Sequence, residues 1–310
     1  MNTIQVEYPD TLPDYTLLDS GNGEKLETFS DYTIIRPDPR AIWQKSKTGS
    51  VWDSADAKFI RTGSDSGSWN IVNQSPTPWH FHYHDCTFHL RKTDFKHVGI
   101  FPEQAVNWDW MTTQINRCHP ELAEGSNSKK NMDSRLRGND IHILNLFAYT
   151  GAATVVAAKH GAQVTHVDSV KSTISWAHEN YILSHADPNH VRWIEDDAYK
   201  FVTREIKRGK TYDGIIMDPP RFGRGNHGEL WKLENDLPKL LAAVKQILSP
   251  NPLFILINAY TADISSLVLQ HLMSDVMKGK DGTITSGELA TKELYSGRLL
   301  PQGIFARWEQ

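Results

Sequence analysis

Met217-Asp218-Pro219-Pro220-Arg221-Phe222 closes the apolar run Tyr212-Asp213-Gly214-Ile215-Ile216-Met217. Two consecutive prolines fix φ and lack N–H donors, so the chain cannot continue there as an internal sheet strand. What remains is a stiff ledge with one carboxylate, turned carbonyls and an aromatic face. Such groups hold a flat, amine-bearing ring by its edge and its face together. The chemistry this implies is on a planar nitrogenous group, with Asp218, Pro219, Pro220 and Phe222 as candidate catalytic residues.

A second set of residues has the spacing of a cofactor site. Asn145-Leu146-Phe147-Ala148-Tyr149-Thr150-Gly151 follows one apolar run and opens another, the position of the glycine-rich turn in folds that bind dinucleotides and nucleosides. It is not GxGxxG, because only Gly151 is present. A pyrophosphate needs several glycines for close backbone approach, so this turn, with Asn145 and Thr150, suits a cofactor without phosphates. Asp168 ends the next strand, where a carboxylate accepts hydrogen bonds from ribose hydroxyls. Asp196 and Asp197 follow the third strand, where one could take an adenine amino group. Each acid alone is as well explained as a helix N-cap. Three at successive strand ends beside one cleft favour a binding site.

The elements that must position these residues alternate. Strands are expected at 141–147, 164–168, 191–194, 212–217 and 253–258, and helices at 152–160, 174–184, 198–208, 236–248 and 264–277, with a closing antiparallel pair at 283–292 and 304–308. Gly161 is suited to cap the first helix. Leu237, Leu240, Leu241, Val244 and Leu248 fall on one face of the fourth. Repeated βα units with right-handed crossovers give an α/β, doubly wound Rossmann-like sheet, here with a terminal antiparallel hairpin. Residues 1–98 differ in texture. Short alternating runs such as Tyr32–Arg36 and Trp79–His84, separated by Gly and Pro turns, predict a small, mostly antiparallel β domain before the larger one at 99–310.

The motifs together carry a resemblance. Asn-Leu-Phe-Ala-Tyr-Thr-Gly, Val167-Asp168, Asp196-Asp197-Ala198 and Asp-Pro-Pro-Arg-Phe resemble class I S-adenosylmethionine-dependent methyltransferases, most closely the bacterial large-subunit rRNA methyltransferases. Gly99-Ile100-Phe101-Pro102-Glu103-Gln104 is similar to that group's Gly-x-Phe-Leu-Asp-Gln segment, departing from it at Pro102-Glu103. The resemblance covers about residues 101–310. It implies S-adenosylmethionine as cofactor, with Gly151 near its methionine part, Asp168 at the ribose, Asp197 at the adenine amine, and Phe101 and Gln104 covering it. Asn145, Phe147, Tyr149, Thr150, Ser169 and Asp196 complete the implied set, and Asp218 belongs to both sets. It implies an RNA substrate, rRNA in the first place. Methylation of a pyrimidine carbon-5 needs a thiol nucleophile, and neither Cys86 nor Cys118 is placed for it. A base nitrogen is therefore the expected acceptor, with Phe222 stacking on the base. A protein or small-molecule acceptor, or a nonenzymatic RNA-binding protein that keeps the fold, are the alternatives. A nicotinamide dehydrogenase is disfavoured by the missing glycine fingerprint.

The remaining signals are weaker. A net charge of −4 in 310 residues argues against broad, nonspecific coating of nucleic acid, yet leaves room for a local patch such as Arg36, Arg40, Lys45 and Lys47. His80, His82 and His84 alternate along one strand; a solvated face is favoured over a metal site, and no metal is expected. Trp108 and Trp110 could reach the cofactor cleft. No apolar run approaches the length of a membrane span and Met1–Pro13 has no apolar leader, so a cytoplasmic location is expected. Residues 118–140, Gly/Ser/Asn/Lys-rich and without periodicity, resemble translated palindromic repeats and read as a tolerated surface insert.

Overall fold

The computed structural model describes residues 5–47, 49–63, 66–118, 141–224, 230–260 and 263–310. All of the expected insert but Cys118 lies outside them. In chain order the elements are β1 (Gln5–Glu7), β2 (Tyr15–Gly21), β3 (Glu24–Phe29), β4 (Tyr32–Pro37), α1 (Ser50–Asp53), β5 (Ala57–Arg61), β6 (Gly67–Ile71), β7 (His80–Tyr83) and β8 (Cys86–His89). Then come α2 (Ala105–Arg117), β9 (His142–Leu146), α3 (Ala152–Lys159), β10 (Gln163–Asp168), α4 (Lys171–Leu183), β11 (Val191–Glu195), α5 (Ala198–Lys207) and β12 (Gly214–Met217). The chain finishes with β13 (Phe222–Arg224), β14 (Leu230–Lys232), α6 (Leu233–Val244), β15 (Phe254–Ala259), α7 (Ser266–Met277), β16 (Thr283–Lys292) and β17 (Leu299–Glu309).

Eight strands form one sheet in the order β1-β16-β17-β15-β12-β9-β10-β11. The five from β15 to β11 run parallel, and β17 closes against β15 antiparallel. This is the expected doubly wound sheet with its antiparallel end. Every residue of β12 and β15 is buried, as strands covered on both faces must be. The core beneath them joins Leu144, Ile215 and Ile257 to Leu237, Leu240 and Met273 of the helices. Gly214 is needed where β12 pairs with β15, since a Cβ there would lie 2.6 Å from the Phe254 ring. One helix starts earlier than expected: α6 begins at Leu233 rather than Asp236, with Pro238 inside it.

The chain forms two compact units, one of residues 1–6, 107–288 and 303–310, the other of residues 7–106 with 289–302. The division therefore comes at Val106 rather than at residue 98, and the second unit takes back a piece of the C-terminal hairpin. Pairing between distant segments joins that piece, as in the Leu17–Glu293 bridge and the Leu294 N–H donating to the Leu17 carbonyl at 2.8 Å. Composition along the chain carries no trace of such a contact.

In the N-terminal unit the order is β2-β3-β4-β5-β6, with β7 and β8 as a separate ribbon. All pairs are antiparallel except β4–β5, which is parallel. The long connection through α1 makes that crossover possible. The largely apolar interior of this unit also holds buried ion pairs. Glu27, fully buried, receives Arg36 at 2.7 Å and Lys25 at 3.0 Å, and accepts the Tyr15 hydroxyl at 2.8 Å. Burial alone would raise the Glu27 carboxyl; Arg36 and Lys25 outweigh it and hold it at about 2. Asp38, also buried, pairs with Arg40 at 2.9 Å and is held at about 2 in the same way.

These pairs correct one expectation, and packing and turn geometry correct two more. Arg36 and Arg40 do not belong to an RNA-facing patch: Arg36 is 4 % exposed, and Arg40 is spent on Asp38 and Gln302. Lys45 pairs with Glu24 at 2.8 Å and lies 3.5 Å over the Trp52 ring, and Lys47 lies over Tyr295. Trp108 is buried, and Trp110 packs at 5.5 Å on the Phe254 ring and under Arg307, so both are core residues rather than walls of a cleft. The histidine row is shorter than it reads. His80 and His82 lie on β7 with ring centroids 6.2 Å apart, while His84 sits in the following turn at φ 49°. Among the described residues no three His, Cys, Asp or Glu gather as a metal ion would need.

Candidate active site

Register places the two motif segments side by side. Leu146, the last residue of β9, pairs with Met217, the last of β12, and on its other side with Val167 of β10. Asp168 then pairs with Glu195 at the end of β11. The turn at 147–151, Asp168, Asp196-Asp197 and Asp218 thus follow the carboxyl ends of four adjacent parallel strands. The strand order reverses between β9 and β12, and ligands of open α/β sheets bind at such a switch point.

The turn after β9 is held in an unusual backbone. Phe147, Tyr149 and Gly151 all have positive φ, at 56°, 50° and 81°. Only glycine adopts that region freely, so two non-glycine residues there mark a conformation imposed by their surroundings. The Tyr149 N–H donates to Asp168 Oδ2 at 2.8 Å and the Ala148 N–H to the Val167 carbonyl at 3.1 Å. Asn180 Nδ2 donates to the Thr150 carbonyl at 2.9 Å. Gly151 answers a packing demand as well: a Cβ would come within 2.8 Å of Ala177 Cβ on α4.

Asn145 and Thr150 are buried beneath this turn. Asn145 Nδ2 donates to Thr154 Oγ1 at 2.9 Å, and the Thr154 hydroxyl reaches His166 Nδ1 at 2.9 Å. Burial pushes the His166 imidazole down to about 3, so it stays neutral. This buried chain was not foreseen. The alternation of β10 hid it, because a histidine within an apolar strand carries no signal of its partner on the following turn of another helix.

The cleft outside these strand ends has two kinds of wall. Asp168, Asp196 and Asp197 supply carboxylates, while Phe147, Pro220 and Trp231 supply apolar faces. Among the described residues that line it there is no lysine or arginine. A lining of acceptors and flat apolar faces fits a nucleoside bearing hydroxyls and an exocyclic amine, and repels a pyrophosphate. Burial raises the Asp168 carboxyl although its oxygens accept the Val170 and Tyr149 N–H groups at 2.9 and 2.8 Å. Asp197 is also the N-cap of α5, accepting from the Lys200 N–H at 2.9 Å. Asp196 accepts the Asp197 N–H at 2.9 Å and meets Arg204. The N-cap role of Asp197 does not exhaust a carboxylate's acceptor sites.

The ledge begins where β12 stops. Asp218 is half-buried, Pro219 buried and Pro220 exposed, while the Phe222 ring is 58 % exposed. Arg221 is tied to Asp263 and lies 3.8 Å from Glu234. The next residues form the β13–β14 hairpin, with Phe222 opposite Lys232 and Gly223 opposite Trp231. Trp231 was missed, although two short runs separated by a glycine-containing stretch are a hairpin signal. Phe101 and Gln104 belong to the N-terminal unit, where Phe101 stands 5.2 Å from the His97 ring and Gln104 is buried in a one-turn 3₁₀ helix. Between them Glu103 is 2 % exposed, and burial raises its carboxyl.

A crystal structure of a SAM-dependent methyltransferase from Agrobacterium tumefaciens superposes with a TM-score of 0.86 at 40 % identity, covering 98 % of this chain and 93 % of that one. The chain belongs to the S-adenosylmethionine-dependent methyltransferases. The family model of that description matches residues 127–271. Among curated proteins, the ribosomal RNA large subunit methyltransferase K/L of Pseudoalteromonas translucida is 36 % identical over 53 % of this chain and 23 % of its own length. The ribosomal RNA large subunit methyltransferase K of Neisseria meningitidis is 30 % identical over 50 % of this chain and 43 % of its own. The chain thus spans less than half the length of either curated relative. For a methyltransferase the phosphate-free character of the cleft is the expected one, since S-adenosylmethionine carries ribose hydroxyls, an adenine amine and no phosphate.

Proposed function

We propose that this methyltransferase modifies a base nitrogen in RNA, with large-subunit rRNA the substrate class and the cytoplasm its place of work. The observation that carries the reading is the ledge. Asp218, at the end of the strand next to the cofactor turn, is followed by two prolines and an exposed phenylalanine. The names of the curated relatives supply the rRNA part.

Asp168 and Ser169 would hold the ribose, Asp197 with Asp196 the adenine amine, and Phe147 the flat face of the ring. Tyr149, Thr150 and Gly151 would border the methionine part, with Asn145 shaping the turn from below. S-adenosylmethionine, when bound, supplies an electrophilic methyl group on a sulfonium. The protein's own part is positioning, which gives in-line displacement much of its rate. The Asp218 carboxylate and the Pro219 carbonyl accept hydrogen bonds from the acceptor's N–H groups and aim the nitrogen lone pair. Phe222 stacks on the base. Asp218 also offsets the positive charge that develops on the nitrogen. No cysteine lines the cleft, so the covalent step that carbon-5 methylation requires has no nucleophile there.

The test is transfer of labelled methyl from S-adenosylmethionine to fractions of cells lacking the gene. Label in large rRNA supports the reading, and fragment mapping then finds the base. Label confined to protein or small molecules reassigns the substrate. Cofactor binding without any transfer points to a binding protein. Asp218→Ala should abolish turnover while leaving cofactor affinity near normal; joint loss of both would remove Asp218 from the acceptor role.

A further inference from the structure

The ledge poses a problem of anchorage. Pro219 and Pro220 have no N–H to give, so these two residues can make backbone hydrogen bonds only through their carbonyls. One donor is in place. Trp231 Nε1–H donates to the Pro220 carbonyl at 2.7 Å. The same indole rests on the cofactor turn, its ring centroid 5.1 Å from that of Phe147 at an interplanar angle of 55°. It lines the cleft together with Asp168 and Asp197. The hairpin explains how one side chain reaches both. Trp231 pairs with Gly223, and a Cβ on Gly223 would already touch Pro220 Cγ at 3.5 Å and Trp231 Cβ at 3.7 Å. A larger residue there would fill the space between tryptophan and ledge.

We infer that Trp231 is a positioning residue with two functions: its ring is the aromatic wall of the nucleoside pocket, and its N–H fixes the ledge that aims Asp218 and the Pro219 carbonyl. The inference rests on the methyltransferase reading of the cleft, and its second function on the RNA reading as well. The two parts separate by substitution. Trp231→Phe keeps a ring on Phe147 and loses the donor, whereas Trp231→Leu loses both.

The experiment measures S-adenosylhomocysteine affinity by calorimetry, methyl transfer to large rRNA, and thermal midpoint for the wild type and both variants. Trp231→Phe should keep affinity within about threefold and lower kcat about tenfold at unchanged KM, the scale of one lost hydrogen bond. Trp231→Leu should weaken affinity by about tenfold or more, the scale of a lost aromatic contact. Wild-type affinity in Trp231→Leu would overturn the wall, and full kcat in Trp231→Phe would overturn the positioning. The indole N–H gives a readout independent of any acceptor. In ¹⁵N-resolved spectra of the whole protein, the resonance absent from Trp231→Phe should exchange at least about tenfold more slowly than an open indole, as a retained hydrogen bond demands. Rapid exchange overturns the anchorage even if no RNA is methylated, whereas slow exchange without transfer removes the substrate and leaves the anchorage standing.

Discussion

The two units of this chain use charge in opposite ways. In the N-terminal unit, acids and bases are matched inside the fold: Glu27 with Arg36 and Lys25, Asp38 with Arg40. In the α/β unit the core between sheet and helices is mostly apolar, with the Asn145–Thr154–His166 chain as a neutral polar thread. Asp168, Asp196 and Asp197 line the cleft at the strand ends, while Asp218 follows the end of β12. The matched pairs are structural, because a buried charge without its partner costs more than the pair returns. Asp168, Asp196 and Asp197 instead border an open cleft while accepting backbone N–H groups of their own turns. Charge type says little by itself; what separates these acids is whether they are sealed against a buried base or border a cleft.

The largest effect should come from breaking the matched set. Glu27→Ala leaves Arg36 and Lys25 buried without a counter-ion and should cost about 3–5 kcal/mol, read as a lowered denaturation midpoint of the N-terminal unit. Asp196→Ala, at the edge, should leave that midpoint alone. An equal loss from both substitutions would erase the distinction. Asp168→Asn sharpens the other side of it. Removing the charge while keeping the shape should weaken S-adenosylhomocysteine binding by about 10- to 100-fold, the scale of a charged hydrogen bond, with little change in thermal midpoint. A third substitution tests the apolar interior. Gly214→Ala adds one methyl against the Phe254 ring and should destabilise the α/β unit by about 1–3 kcal/mol, visible in urea unfolding as a lower midpoint at unchanged slope.

The smallest effect is a difference in sign with pH. Glu27 has its carboxyl held at about 2 in the fold, so its contribution is complete above the usual glutamate value and is lost as pH falls towards 2. Asp168 is shifted upwards by burial, so its contribution is complete at low pH and is lost as pH rises through the raised value. Acidification should therefore loosen the first region and relieve the second, while weakening cofactor binding as Asp168 takes up its proton. Hydrogen exchange of β3 and β10 amides from pH 5 to pH 3 reads both, and the β10 response should vanish in Asp168→Asn.

Several parts of this arrangement were legible in the chain itself. β9, β10, β11, β12 and β15 declared themselves as apolar runs of strand length, and their ends carried Asp168, Asp196-Asp197 and Asp218 in an order only a doubly wound sheet brings together. Phosphate was disfavoured by the single glycine at 151, and the lining of the cleft agrees. The hidden parts depend on partners far away in sequence. Arg36 looks like a surface residue until the register of β3 with β4 brings it to Glu27, and Arg40 does so until it meets Asp38 and Gln302. Residues 289–302 join the N-terminal unit through backbone bonds to β2, which leave no mark on composition.

The sequence by itself determined the alternation of elements, the cofactor class and the acids at the strand ends, because hydrophobic period and turn chemistry are local properties. Tertiary structure alone decided that Trp231 meets both Phe147 and the Pro220 carbonyl, that Asn145, Thr154 and His166 form one buried chain, and that Glu27 is structural while Asp168 faces a cleft. Each of these is a contact between residues whose separation along the chain is unrelated to their distance in space, and only the closing of the sheet sets that distance.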